Sequence, residues 1–415
     1  MIWLQLWKKL WDYSDNFKEC MALMKLAFLC NNMKSTNGVE RVLSQRLSIL
    51  AESCLYEVYL ITYNQYGAPF SFPISDKIHY IDLATRYINH CAYHGLYQYW
   101  DRFYSKLKYR SAINKCLVDI MPDVITCIDT HVADLITILK MDISAVKVVE
   151  CHCGLSAYFS DIKKIVNPYK RYRERSIKKK LIRTVRKFDK IVVMTEEEKC
   201  EWNLEGKIVS ISNMLASNSV KSSINRESNQ RVISVGRYAY QKGYDMLLYA
   251  WKTVQDKYPD WTLHIYGSRD GDMGDYDQLE KIKEKNQLNG VFLHPATNDV
   301  YSKYNESDFY VMSSRFESFG LVLIEAMSCG LPVISFDCKY GPHNIIHDGF
   351  NGTLVPLNNI DAMSTAICSM IENVEMRHAM AINAHQESNK YHPDNIMPLW
   401  HAFYKSLEKA HSIDA

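Results

Sequence analysis

A chain of 415 residues is longer than one ordinary hydrophobic core organises, and it implies two domains. Its 47% hydrophobic share is that of a globular protein, and a formal charge of +2 argues against a dedicated nucleic-acid binder. No stretch reaches the roughly 18 apolar residues of a membrane-spanning helix.

The chain opens on a short apolar stretch, Met1 to Leu6, whose charges Lys8 and Lys9 come after it and which no small-residue cleavage site closes. It does not read as a signal peptide. Residues 1–23 read as an amphipathic extension or as the product of an upstream start codon, and Leu26 to Cys30 is the first predicted strand. The loop Lys34-Ser35-Thr36-Asn37-Gly38 leads into the helix-like Val39 to Leu43. Gly38 precedes a helix start, where a missing side chain lets backbone approach a ligand, an ordinary turn glycine being the alternative.

Apolar runs recur at Val58 to Thr62, Ile78 to Leu83, Val124 to Ile128, Val146 to Val149 and Ile191 to Met194, with helical stretches between several of them. That alternation predicts a parallel sheet covered on both faces. Cys151-His152-Cys153 would suit zinc only with a second ligand pair at metal spacing, which the chain lacks, so no metal site is predicted. Cys30, Cys54, Cys116, Cys127, Cys200 and Cys368 form no Cys-x-x-Cys set and read as reduced core residues of a cytosolic protein.

Residues 163–190 are the most basic part of the chain. Arg171, Arg173, Arg175, Lys178, Lys179, Lys180 and Arg183 alternate there with Tyr169, Tyr172, Ile177, Leu181 and Ile182. Such a helix suits peripheral contact with an anionic membrane surface; the alternative is a solvated helix that uses its charges for solubility.

Residues 215–230, rich in Ser and Asn, break the alternation and are taken as an interdomain linker. A second alternation follows, with strands at Arg231 to Val235, Trp261 to Tyr266, Val291 to His294, Phe309 to Met312 and Pro332 to Phe336. The first of these strands ends in Gly236-Arg237, and Lys242-Gly243-Tyr244-Asp245 opens the helical run Met246 to Trp251. Strand, cationic loop and helix start make a phosphate site: Arg237 can hold oxygens bidentately, Lys242 adds a point charge, and the helix amides face the same anion. Two surface cations flanking a loop is the alternative.

Further on, Glu317 and Glu325 stand eight positions apart across a predicted strand-to-helix turn. With a helix starting near Phe319, a rise of about 1.5 Å per residue sets their backbones on the order of 12 Å apart. A glycosidase pair needs roughly 5 to 9.5 Å between carboxyl groups. The two therefore read as separate hydroxyl acceptors, one for a sugar ring and one for a ribose, with a diphosphate between. Taken alone, Glu325 equally fits a helix acid complementing the macrodipole. Asp270-Gly271-Asp272 follows a strand like the acidic pair of metal-dependent transferases, but Arg237 and Lys242 already supply the compensating charge, so it is read as a plain loop.

Gly236-Arg237 with Lys242-Gly243, Glu317-x7-Glu325 within Glu-Ser-Phe-Gly-Leu, and Ala326 to Ile334 together resemble glycosyltransferase family 4, most specifically over residues 231–356 and more weakly from Met24 to Asn213. The resemblance implies an α/β protein of GT-B fold, two doubly wound Rossmann-like domains facing across a cleft. It assigns residues 24–214, completed by a C-terminal helix 397–415, to acceptor binding, and residues 231–396 to the nucleotide sugar. It implies a retaining, metal-independent transferase without a cofactor: Arg237 and Lys242 on the donor diphosphate, Glu317 on the transferred sugar, Glu325 on the ribose, and Ser318, Phe319, Gly320 and Leu321 facing sugar and phosphate. His152 falls where the family commonly carries a histidine near the donor sugar, a satisfied core histidine being the alternative. Asp337-Cys338, Gly341-Pro342 and Ile345-Ile346 with Asp348-Gly349 resemble the capsule, O-antigen and exopolysaccharide branch. Its implied partners are a nucleotide sugar, expected to be UDP-linked, and a glycan or polyprenyl-linked oligosaccharide acceptor; the implied setting is the cytoplasm, at the inner face of the membrane. A sugar-nucleotide epimerase and a catalytically silent scaffold of the same fold are the alternatives.

Overall fold

A computed structural model describes residues 23–35, 38–85, 96–128, 132–152, 167–216, 228–269 and 275–411. Thr36, Asn37, Cys153, Asp270-Gly271-Asp272, all but the last residue of the 1–23 extension, residues 163–166 of the basic stretch and residues 217–227 of the proposed linker lie outside them.

The first half carries strands β1 (Met24–Cys30), β2 (Tyr56–Thr62), β3 (His79–Asp82), β4 (Val124–Ile128), β5 (Val146–Glu150), β6 (Lys190–Val193) and β7 (Ile208–Ser210), in the sheet order β3-β2-β1-β4-β5-β6-β7. Its helices are α1 (Gly38–Glu52), α2 (Leu96–Ile120), α3 (Val132–Leu139), α4 (Pro168–Val185) and α5 (Glu196–Trp202). The second half carries β8 (Arg231–Val235), β9 (Thr262–Gly267), β10 (Val291–Pro295), β11 (Phe309–Met312), β12 (Val333–Phe336) and β13 (Gly352–Val355), ordered β10-β9-β8-β11-β12-β13 with every neighbouring pair parallel. Helices α6 (Tyr244–Lys257), α7 (Asp275–Lys285), α8 (Val300–Asn305), α9 (Leu321–Ser328), α10 (Gly341–Ile345), α11 (Ile360–Glu372), α12 (Val374–Ser388) and α13 (Pro393–His411) alternate with or follow these strands. The predicted strands are present, with ends shifted by at most two residues. Periodicity missed β7 and β13, one only three residues long and the other opening on a glycine.

β4, β11 and β12 are buried at every residue. Continuous apolar runs of this kind belong to parallel strands sandwiched between helices. Under β8 to β12 the core gathers Val232, Trp251, Leu263, Ile265, Val311, Ile334, Phe336 and Met363, so that α6 and α11 are held against the sheet. In the second sheet the strand order reverses between β8 and β11. Connections leave that pair in opposite directions at their carboxyl ends, and the crevice so made is where doubly wound sheets bind ligands.

Contacts divide the chain into two compact units: Met1–Thr36, Leu43–Thr130 and Thr137–Val148 in one, Asn37–Val42, His131–Ile136 and Val149–Ala415 in the other. The start of α1, His152 and the whole second sheet thus belong to one unit. The cysteine reading needs correction: Cys30, Cys127 and Cys368 are buried as expected, but Cys54, in the turn after α1, and Cys200 are exposed and Cys116 is half-buried.

The edge of the second sheet carries a testable pH response. His264 Nδ1 and His294 Nε2 are 2.9 Å apart in stacked rings, with Phe292 and Tyr266 extending the stack. Burial, with the Arg231 guanidinium and His294 beside it, pushes His264 down from 6.5 to about 3, and burial with Arg231 lowers His294 as well. A histidine depressed in the folded state takes its proton first in the unfolded chain, so stability is lost as pH falls below about 6.5 and the loss continues toward pH 3. Denaturant midpoints measured across this window should fall less steeply for His264→Phe than for the parent protein; parallel curves would show that the pair does not set acid stability.

Candidate active site

The crevice is built from the two loops that leave β8 and β11. After β8, Gly236 donates its N–H to Tyr266 O at 2.9 Å, and the chain turns through Tyr240–Lys242 into Gly243. Gly243 has φ +64, and a Cβ there would stand 2.1 Å from the carbonyl oxygen of Ser313. Conformation and close approach both require glycine at this point. The approach is what lets the second loop lie on the first.

Once together, the loops are joined by polar contacts. Ser313 Oγ donates to Lys242 O at 2.8 Å, Arg315 N to Gln241 O at 2.8 Å and Gln241 Nε2 to Phe316 O at 3.1 Å. The Arg315 guanidinium forms a fork on Asp245 at 2.9 and 2.6 Å, donates to Tyr240 O at 2.7 Å and lies 3.9 Å from the centre of the Tyr240 ring. A bidentate pair with a stacked ring restrains both partners, so the loops act as one rigid piece.

This piece brings Lys242 and Glu317 together. Lys242 Nζ lies 2.7 Å from Glu317 Oε1, and Ser314 Oγ donates to the same oxygen at 2.7 Å. The Lys242 and Glu317 side chains are only 16% and 8% exposed, so the pair is well shielded from water and the second Glu317 oxygen is left for another partner. Arg237, by contrast, is exposed, and its side chain makes no hydrogen bond or ion pair among the described residues. Helix α6 starts at Gly243 with no side-chain cap, as does α9 at Gly320, so neither helix uses a side chain to satisfy its first amides.

The helix after Glu317 begins two residues later than the spacing predicts, at Leu321, because Gly320 takes a left-handed conformation (φ +90) that keeps Phe319 out of it. Ser318 is half-buried in the turn, and Phe319 is buried with its ring edge-on to Tyr391 at 5.6 Å. Gly341 presses on this turn: a Cβ added to it would stand 2.3 Å from Phe319 O and 3.2 Å from Glu317 Cβ. Glu197 of α5 holds Gly341 there by accepting from Tyr340 N and Asn344 Nδ2, both at 3.2 Å, and Glu201 accepts from the Tyr340 hydroxyl.

Glu325 sits apart from Glu317, one turn into α9 and 2% exposed. Its carboxylate is ion-paired with Arg41, and Tyr304 Oη approaches it at 3.4 Å. Each carboxylate thus has its own cation. Arg41 escaped the sequence reading although Gly38, one turn earlier on α1, was singled out. Gly38 itself is exposed, and a Cβ there would make ordinary contact with Leu321 Cδ2 at 3.4 Å, so local sterics do not demand a glycine.

His152 lies in a buried acidic cluster. Its Nε2 is 3.3 Å from Glu150 Oε2, and Glu198 faces it. Burial drives the Glu198 carboxyl up to about 8, against the pull of the Trp202 and Met194 N–H groups and of His152. Glu198 too was missed: Thr195 Oγ1 accepts from its N–H at 3.2 Å, and Thr-x-x-Glu reads in sequence as a helix cap, without any sign that the acid is buried. Among the described residues no group of three or more His, Cys, Asp or Glu could hold a metal ion.

Comparison with known proteins bears on the fold and on the chemistry. Residues 217–387 match the family model described as Glycosyl transferases group 1. An uncharacterized glycosyltransferase of Haemophilus influenzae is 32% identical over 229 residues, covering 53% of this chain and 64% of that protein. The amylovoran biosynthesis glycosyltransferase AmsD of Erwinia amylovora is 31% identical over 223 residues, covering 51% and 61%. The chain therefore spans less than two thirds of the length of these curated relatives. Among solved structures, sucrose-phosphate synthase from Thermosynechococcus elongatus superposes with a TM-score of 0.75 at 17% identity, covering 93% of this chain and all of that one. The pneumococcal O-GlcNAc transferase GtfA, in complex with UDP and GlcNAc, gives 0.70 at 17%, covering 94% and 99%. The fold is GT-B, with two Rossmann-like domains.

Proposed function

We propose that the protein is a retaining, metal-independent glycosyltransferase that moves a sugar from a nucleoside diphosphate, UDP by preference, to a glycan or polyprenyl-linked oligosaccharide acceptor in envelope polysaccharide synthesis. The observation that carries this is the rigid pair of loops at the β8/β11 crevice, which sets the Lys242–Glu317 pair near the exit of β8 that carries Arg237. Because Glu317 already offsets most of the Lys242 charge, the net attraction for a diphosphate falls to Arg237 and to the first amides of α6 and α9. Lys242 would donate further hydrogen bonds to the same phosphates. Glu317, with one oxygen held by Lys242 and Ser314, would turn the other to a hydroxyl of the transferred sugar. Glu325 would accept from the ribose, and His152, whose ring Glu150 orients, would position the sugar.

No carboxylate is assigned as a nucleophile beneath the sugar. The departing diphosphate, still held on the face it leaves, would take the acceptor proton while the acceptor attacks from that same face through an oxocarbenium-like state. The match to the group 1 family model and the names of the relatives support transfer chemistry, the AmsD name supports a polysaccharide acceptor, and the UDP complex of GtfA supports the donor class. Helix α4 supports a place on the inner face of the membrane. Asn167 caps it by accepting from Tyr169 N and Lys170 N, only Thr184 and Val185 are buried, and Tyr169 and Tyr172 project 75% and 73% exposed among the cations.

One assay tests the whole proposal: a panel of nucleotide sugars, incubated with and without membrane extract and with anionic vesicles that are then pelleted. Release of UDP or GDP only with extract, an α-linked product from an α-linked donor by anomeric NMR, and co-sedimentation with vesicles that high salt abolishes are the expected results. Interconversion of the donor alone indicates an epimerase, and tight nucleotide binding without turnover a scaffold. A β linkage from an α donor would end the retaining assignment.

A further inference from the structure

Gly38 stands against Leu321, and three residues along α1 and four along α9 come Arg41 and Glu325. Steps of three and four residues return to the same face of a helix, so the first contact makes the second one follow. The Glu325 side chain is 2% exposed and that of Arg41 22% exposed. Arg41 from α1 and Tyr304 from α8 meet the Glu325 carboxylate; Tyr301 of α8 and Cys329 at the end of α9 neighbour Tyr304, and His385 of α12 meets Ser328 O through its Nδ1 at 2.8 Å. Burial keeps both tyrosine hydroxyls protonated. Arg41 is thus the permanent cation of this set.

We propose that Arg41 is a positioning residue for the donor: it keeps the buried Glu325 carboxylate ionised and aimed, so that ribose hydroxyls meet an acceptor and not a protonated acid. This rests on the ribose role proposed above for Glu325. A carboxylate this deep, deprived of its counter-charge, takes up a proton near neutral pH. Its ability to accept two hydroxyl hydrogen bonds goes with the charge. The role does not require Arg41 to touch the nucleotide.

Calorimetric titration with UDP from pH 5.5 to 9 reads this directly, each variant expressed as a ratio to wild type so that ionisation of UDP itself cancels. Arg41→Met should bind UDP on the order of tenfold to a hundredfold more weakly at pH 6 and regain affinity as pH rises. Arg41→Lys should remain within a few-fold of wild type with a flat ratio. Glu325→Gln, fixed in the uncharged form, should be weak at every pH. If Arg41→Met does not fold, Arg41→Gln makes the same test. Wild-type affinity in the Arg41 variant, or a loss independent of pH, overturns the role of Arg41 while a weak Glu325→Gln leaves the ribose assignment standing. Wild-type binding by Glu325→Gln removes the ribose assignment itself.

Discussion

Alanine at Lys242 or at Arg237 lowers turnover by about 10² to 10³, the scale expected when one preorganised charge partner is removed from a transition state. The two variants should differ in a second measurement. Lys242 is the buried partner of Glu317, so Lys242→Ala strands a carboxylate that is 8% exposed and should also lower the melting temperature. Arg237 is exposed and holds nothing in place, so Arg237→Ala should melt with the wild type. EDTA should leave the rate of all three proteins unchanged. Full activity in either variant, or strict dependence on added Mn²⁺, rules out a cationic clamp on the leaving group.

The second large effect is structural. Gly243→Ala must place a methyl group 2.1 Å from the Ser313 carbonyl while holding φ at +64. The left-handed conformation and the forced separation of the loops together cost roughly 2 to 4 kcal/mol. Because Ser313 and Lys242 move apart, the Lys242–Glu317 pair opens too, and transfer should fall further than the stability loss alone explains. Chemical denaturation with parallel kinetics checks this. A variant that loses stability yet keeps wild-type kcat would show that contact between the loops is not needed for chemistry.

Much of this site could be read from residue order because it rests on local patterns. Gly236-Arg237 and Lys242-Gly243 flank one turn between a strand and a helix, and Glu317 to Glu325 spans one more, so short-range rules located both. What escaped depends on distant partners. Arg41 gains its meaning from Glu325, which lies far along the chain, and no periodicity links them. Arg315 joins the loops through Asp245 and Tyr240, and nothing in its local sequence signals either partner. Glu198 carried a cap signature that concealed its burial, and the late start of α9 follows from one torsion angle at Gly320. The strands were legible where apolar residues recurred over four or more positions; β7 is only three residues long, and β13 opens on a glycine.

The contacts that join the loops also set an order for the birth of the site. Arg315 reaches back 75 residues to Tyr240 and 70 to Asp245, and Ser313 reaches 71 to Lys242. Closing so long a span carries its entropic cost before any of these contacts exists to offset it. A nascent chain that has emerged only as far as β10 can hold the β8 strand and helix α6, but the loop between them is still untethered and Lys242 lacks Glu317 as its counter-charge. The joined pair of loops therefore arrives late in synthesis, when the segment after β11 docks, and it arrives for both loops in a single step.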